Sequence, residues 1–297
     1  MELPMIMKIM QLQTRVCDDK QKNLEALERI LDEHLGDIPA GNVLTGDKYR
    51  PDLVALGEMF ACPYQNSCFP VYAEPEGGET WQVLSGLARR HRIYLAAGSV
   101  PERDGQGRIF NTAYVFDRDG RQIAKHRKAH MFDICVEGGQ YFRESDTLTP
   151  GDEVTVFDTE FGKIGLCICF DIRFPELARE MALRGAKVVL VPAAFNMTTG
   201  PVHWELTFRA RALDNQCYYV GTSPARDPEA GYVAWGHSIV TSPWGEVLGE
   251  LDEKEGVMVT EIDLSYADKV RRELPLLSAR RPEVYKNLMV PGTIKFL

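Results

Sequence analysis

Apolar residues recur along this chain in two rhythms. Short runs with strand-like spacing are IMKIMQL, LVALGEMF, IYLAAGSV, NTAYVFD, IGLCICF, KVVLVPAAF, CYYVGTS, HSIVTSP and GVMVTEID. Between several of them lie segments whose apolar positions return at helical spacing: KNLEALERILDEHL, TWQVLSGLARRH, ELAREMALRG and WELTFRARALDN. Strands alternating with helices predict an α/β architecture, with helices covering the outer faces of a sheet. The stretch NTAYVFDRDGRQIAKH, with its Asp-Gly turn, predicts an antiparallel hairpin. No low-complexity linker, repeat or charge block divides the chain, and the loop-like PAGNVLTGDKYRP is short. A single domain over residues 1–297 is expected.

One stretch breaks the rhythm in an informative way. In KIGLCICFDIRFPE, Lys163 to Glu176, Ile164, Leu166 and Ile168 alternate with Gly165 and Cys167 as on a pleated strand. Asp171 and Pro175 then interrupt, and ELAREMALRGA continues with helical spacing. Cys169 is therefore expected on a strand-to-helix corner that aims its side chain outward. A helix start behind it would supply free N–H groups and positive dipole character, both favourable to a thiolate. Cys167 has the same parity but lies inside the strand, where a cysteine behaves as a small hydrophobe. A Cys-x-Cys pair also suits metal, yet no second pair accompanies it, so no metal site is expected.

Composition narrows the classes. The 297 residues are 44% hydrophobic and 26% charged, an ordinary globular balance. A formal charge of −9 argues against nucleic acid or an anionic membrane as partner, though a pocket can still be locally basic. Seven cysteines, odd in number and without framework spacing, point to reduced thiols. MELPMIMKIMQLQ has no basic leader and Lys8 interrupts its apolar run, so it is expected to form a first strand. No apolar run approaches the ~18 residues of a membrane span. A cytoplasmic protein is expected.

Three further residues join Cys169 as candidates. Glu58 in LVALGEMFACPY follows an apolar run at the strand end where α/β proteins place sites; a surface acid has the same local pattern. Lys128 in KHRKAHMFD sits in a basic stretch that equally suits a solvated face. Glu144 in YFRESDTL is a loop acid of the kind usually found on the surface. Other motifs fail. His126 and His130 are spaced as in a zincin helix, but Arg127 stands where that motif needs Glu. GHSIV at Gly236 to Val240 lacks the closing Gly of a nucleophile elbow. His203 in TTGPVHWELTF suits either a base or a residue packing a helix start. No phosphate-binding glycine motif is present.

GEMF with Glu58, HRKAHMFD with Lys128 and GLCICFDIRFPE with Cys169, in this order, resemble the nitrilase superfamily of carbon–nitrogen hydrolases. The likeness runs from the first strand to RRPEVY. It implies a four-layer α-β-β-α sandwich and a Cys169–Glu58–Lys128 triad with an additional acid, Glu144 of YFRESDTLTPGD. It also implies the Phe170 backbone N–H as an oxyanion donor. True nitrilases have Cys-Trp-Glu at the nucleophile, whereas Phe170-Asp171 and RFPE resemble the amidase branch. AAFNMTTGPVHWEL, RARALDNQCYYV, SPARD and YVAWGHSIVTSPWGEVL resemble omega-amidases, which deamidate 2-oxoglutaramate and 2-oxosuccinamate. A deaminated-glutathione amidase is the alternative within the superfamily; a catalytically silent binding subunit is the alternative outside it. GEMF departs from a commoner Pro-Glu pairing, and Phe170 stands where a Tyr is common.

Such a substrate is a small amide with a carboxylate. Arg173, just past the corner, is the expected receptor, with Phe195 and Thr199 of AFNMTTG lining the same pocket and Tyr64 within reach; an Arg173–Glu176 ion pair is the other reading of that arginine. No cofactor or metal is expected. The family habit implies a homodimer or larger assembly, with the segment at about 275–297 at an interface.

Overall fold

The structure is a computed structural model that describes residues 5–36, 50–138 and 140–285. Most of PAGNVLTGDKYRP and the end of the 275–297 segment lie outside the described residues. In chain order the elements begin with β1 (Ile6–Gln13), α1 (Lys20–Leu35), β2 (Leu53–Leu56), a short α2 (Phe69–Tyr72) and α3 (Glu79–His91). Then come β3 (Tyr94–Ala96), β4 (Val100–Arg103), β5 (Ile109–Phe116), β6 (Gln122–Arg127), β7 (Asp133–Cys135) and β8 (Tyr141–Arg143). The second half holds β9 (Thr155–Thr159), β10 (Gly162–Leu166), α4 (Pro175–Leu183), β11 (Val188–Pro192), α5 (Gly200–Asn215) and β12 (Tyr218–Thr222). The described chain closes with β13 (Ile239–Thr241), β14 (Val247–Glu250), β15 (Gly256–Asp263) and α6 (Leu264–Glu273).

Two sheets result. One runs β15-β1-β2-β3-β5-β4 with β6 beside β5; the other runs β14-β13-β12-β11-β10-β9. In each, three parallel strands at the centre are flanked by antiparallel ones. Period-2 alternation along β1 explains the layering. Met7 and Ile9 join a core with Ile164, Leu166, Val188 and Leu190 of the facing sheet. Met10 and Leu12 instead meet Leu24, Leu27 and Leu31 of α1 and Leu84 and Leu87 of α3. Trp204, Phe208 and Ala212 of α5 and Met181 of α4 cover the second sheet. The architecture is the α-β-β-α sandwich.

Local chemistry agrees with the elements. Asp19 caps α1 by accepting from the Lys22 N–H at 3.2 Å, and Gly36 ends the helix at φ 63°. The Gln11 amide crosses between the sheets, donating to the Gly221 carbonyl at 2.8 Å and the Thr222 hydroxyl at 3.0 Å. A buried amide must find such partners.

The pattern missed some elements. IYLAAGSV is two strands along one edge of β5, broken at Gly98. Gly98 has φ +59° and a Cβ there would lie 2.2 Å from the Gly57 carbonyl oxygen, so only glycine permits the bend. β7 and β8, three residues each, are too short to carry a period. In α6 the buried Leu264, Ala267 and Val270 are diluted by charged neighbours.

Candidate active site

Glu58 follows β2 and Cys169 follows β10, both beyond the carboxyl ends of central parallel strands, one in each sheet. Lys128 follows β6, the second arm of the predicted hairpin, and Glu144 opens a 3-10 turn after β8. The two sheets bring all four together. Lys128 Nζ lies 3.0 Å from Glu58 Oε1 and 2.9 Å from Glu144 Oε2. All three side chains are completely buried. The surface readings of Glu58, Lys128 and Glu144 are thus excluded.

Backbone donors fix the two acids. The Ala194 N–H donates to Glu58 Oε2 at 2.9 Å, and the Phe132 N–H donates to Glu144 Oε2 at 2.8 Å. Asn111 Nδ2 donates to Glu58 Oε1 at 2.8 Å, and the Tyr64 hydroxyl donates to Glu144 Oε1 at 3.0 Å. Tyr64 therefore belongs to this charged cluster rather than to the arginine's pocket. Tyr232, its ring tilted against Tyr64 with centroids 4.5 Å apart, donates to the Ala194 carbonyl. Asn111 and Tyr232 carry no sequence signal of their own. The first alternates on an ordinary strand, and the second lies in a loop between β12 and β13.

Cys169 departs from the outward-facing corner. Its turn, Cys169–Arg173, is 3-10, and α4 starts only at Pro175. Its side chain is 4% exposed and its φ is +46°, a region costly for a residue with a Cβ. The thiol faces the Glu58 carboxylate and the Ala194 N–H. Burial first, and then the Glu58 charge, push its pKa well above the ordinary thiol value, against the pull of Lys128. The surroundings thus favour the neutral thiol beside a carboxylate, where the sequence pattern suggested a thiolate favoured by a helix start. Burial, aided by Glu144, also raises Glu58, while Lys128 opposes. Burial alone would drive Lys128 toward neutrality; Glu144 and Glu58 outweigh it and keep the lysine cationic. Cys167 is packed in the inter-sheet core, its N–H donating to the Leu190 carbonyl at 3.1 Å.

Asp171 ties the Cys169 turn to the strand that leads into Lys128. It accepts from the Ile168 N–H at 3.0 Å, the His130 N–H at 2.9 Å and the Ala129 N–H at 3.2 Å. His126 Nε2 lies 3.0 Å and His130 Nδ1 2.7 Å from its oxygens. The paired histidines of HRKAH serve this carboxylate, from strand and loop rather than helix. Despite full burial, these partners hold Asp171 well below the usual carboxylate range. Its stabilisation is therefore complete above about pH 4 and is lost only as pH falls through the depressed folded value. Asp171→Asn keeps the volume but places an NH2 where N–H donors converge. It is expected to cost about 3 kcal/mol in denaturant unfolding.

Arg173 closes the Cys169 turn, half-buried, with its guanidinium carbon 4.4 Å from the Phe195 ring centroid and 5.9 Å from that of Phe170. It makes no ion pair with Glu176; its Nη1 reaches His203 Nδ1 at 3.1 Å. Burial lowers its pKa, and among the described residues no carboxylate acts on it. Phe195 is buried against Trp204. Thr199 caps α5, and its hydroxyl donates to Asn196 Oδ1 at 3.0 Å, so what it can offer a ligand is acceptance. Phe170 is the second residue of the Cys169 turn, its ring against Phe132 and Phe174. A recess lined by Tyr64, Gln65, Phe142, Asn196, Met197 and Tyr232 adjoins the cluster, and a second one, sharing Tyr64 and Tyr232, is lined by Glu58 and Ala194.

Comparison with known proteins follows the same lines. A carbon–nitrogen hydrolase family profile matches residues 9–272. The chain is 52% identical over 233 residues to an omega-amidase of Xenopus laevis, covering 78% of this chain and 84% of that protein. It is 49% identical over 238 residues to an omega-amidase of Mus musculus, covering 80% and 86%. A Saccharomyces cerevisiae member of branch 10 of the nitrilase superfamily superposes with a TM-score of 0.82 at 37% identity, covering 93% of this chain and 97% of that one. A Nesterenkonia amidase bearing the acetamide moiety of fluoroacetamide on its active-site cysteine superposes with a TM-score of 0.76 at 26% identity, covering 95% and 96%.

Proposed function

The chain belongs to the carbon–nitrogen hydrolase family, and we propose that it is an omega-amidase acting through Cys169, Glu58, Lys128 and Glu144. It hydrolyses the terminal amide of short 2-oxo dicarboxylic acid monoamides, 2-oxoglutaramate and 2-oxosuccinamate, to the dicarboxylate and ammonia. The observation that carries the substrate class is Arg173: a half-buried cation beside the nucleophile, facing no carboxylate among the described residues.

An amide is a poor electrophile with a poor leaving group, and each charged side chain answers one part of that difficulty. Glu58 takes the Cys169 proton as sulfur bonds to the amide carbon. The oxyanion that forms is met by Lys128 and the Phe170 N–H, and loss of one such donor typically costs ~2.7–4 kcal/mol of barrier. Glu58 then passes its proton to nitrogen, ammonia leaves, and a thioester remains. Water attacks it with Glu58 again as base, releasing the acid and restoring the thiol. Glu144 keeps Lys128 cationic and, by its own charge, raises the proton affinity of Glu58. No step uses a metal, so chelators are expected to leave the rate unchanged.

Arg173→Met tests the substrate reading. It is expected to lower kcat/KM for 2-oxoglutaramate by about 2 kcal/mol or more, roughly thirtyfold. Butanamide, which has no carboxylate, should lose far less. Equal losses would make Arg173 a support of the turn. Ammonia release from 2-oxoglutaramate, deaminated glutathione and glutamine, side by side, separates the omega-amidase from its relatives; no release from any of them would leave a silent binding subunit. The same reading includes a cytoplasmic homodimer. Leu276, Val284 and Tyr285 of the C-terminal segment offer it exposed apolar surface, and sedimentation at several concentrations checks the dimer.

A further inference from the structure

We propose that neutral His203 is the positioning residue that sets Arg173 for the substrate carboxylate, so that acidification weakens carboxylate-bearing amides ahead of neutral ones. The inference rests on the reading of Arg173 given above. A guanidinium has only donors. The 3.1 Å contact between Arg173 Nη1 and His203 Nδ1 therefore requires a lone pair on Nδ1, which means a neutral ring with its proton on Nε2. Protonating Nδ1 removes the acceptor and leaves two cations at that separation. Among the described residues the guanidinium is then left with only face contacts to the rings of Phe195 and Phe170.

The surroundings fit a switch. His203 sits near the start of α5, exposed, so protons reach it freely. The charged group that acts on it is Arg173, from the nucleophile's turn. On its own helix, Glu205 is engaged with Arg209 at 2.9 Å. On the other side of Arg173 stand Cys169 and Tyr232. Burial and then the Arg173 charge hold the imidazole below its ordinary value of 6.5, so the neutral form prevails at neutral pH and is lost in mild acid. A substrate carboxylate stays ionised through that window.

The test is the ratio of KM for 2-oxoglutaramate to KM for butanamide between pH 8 and pH 5. The ratio cancels titrations common to both substrates, such as that of Glu58. In the wild-type enzyme it should climb below the His203 transition, roughly tenfold per pH unit if one proton is responsible. His203→Asn places an amide oxygen near the Nδ1 position and cannot titrate, so it should keep a low ratio and flatten the profile. His203→Ala, which offers no acceptor to Arg173, should raise the ratio at pH 8. A ratio whose pH dependence survives in His203→Asn would overturn the proposal. So would a ratio that falls on acidification, because protonated His203 would then be serving as a second cation. Arg173→Met separates the two levels. Equal losses on both substrates sink the Arg173 reading; selective loss with an unchanged His203→Asn profile sinks only the role of His203.

Discussion

Cys169→Ala is expected to abolish amide turnover, with kcat lower by at least about 10⁴-fold, while Cys167→Ala keeps most of it. The two cysteines are one residue apart and differ in everything that matters to chemistry. Cys169 faces the Glu58 carboxylate at positive φ, on a turn that opens the second half of the site. Cys167 is sealed between Leu190 and the inter-sheet core, so its loss should cost roughly 1 kcal/mol of stability and little rate. Iodoacetamide labelling with peptide mapping gives an independent readout. Cys17 and Cys135 are exposed and will also take label. The informative quantity is therefore which modified peptide parallels the loss of activity, and that should be the one holding Cys169. Retained turnover in Cys169→Ala would end the assignment.

Lys128→Met is expected to lower kcat by several orders of magnitude with a much smaller change in KM. Two losses combine. The oxyanion loses a cationic partner. In addition, Glu58 and Glu144, both fully buried, lose the cation they share. The Glu58 pKa, already raised by burial, then rises further, because Lys128 no longer opposes it. The acid limb of the kcat profile should accordingly move to higher pH. Breaking a buried ion pair by removing one partner typically costs ~3–5 kcal/mol, so the variant should also unfold at lower denaturant. Circular dichroism at assay temperature distinguishes a folded, slow enzyme from an unfolded one. Near-normal kcat with only KM raised would make Lys128 a binding residue.

The layered α/β class was written in the alternation itself. Odd and even residues of β1 meet different layers, and that parity is local information any strand carries. Glu58 and Cys169 could be found because each follows an apolar run at the end of a central strand. Lys128 and Glu144 were legible only as members of family-like motifs. Locally, a basic stretch and a loop acid read as solvated surface. Their burial depends on partners that arrive from elsewhere: Lys128 meets Glu58 across 70 positions of sequence and Glu144 across 16. The tertiary structure also decided what faces the thiol. The sequence pattern suggested a helix start; the folded chain interposes a 3-10 turn and supplies a carboxylate from the other sheet. Asn111, Tyr232 and the clasp of His126 and His130 on Asp171 belong to the same class of facts. Hydrophobic period is set by neighbours a few residues away and survives in one dimension. The protonation and burial of a charge are set by whatever dipoles and counter-charges surround it, and those are chosen by how the two sheets close on each other.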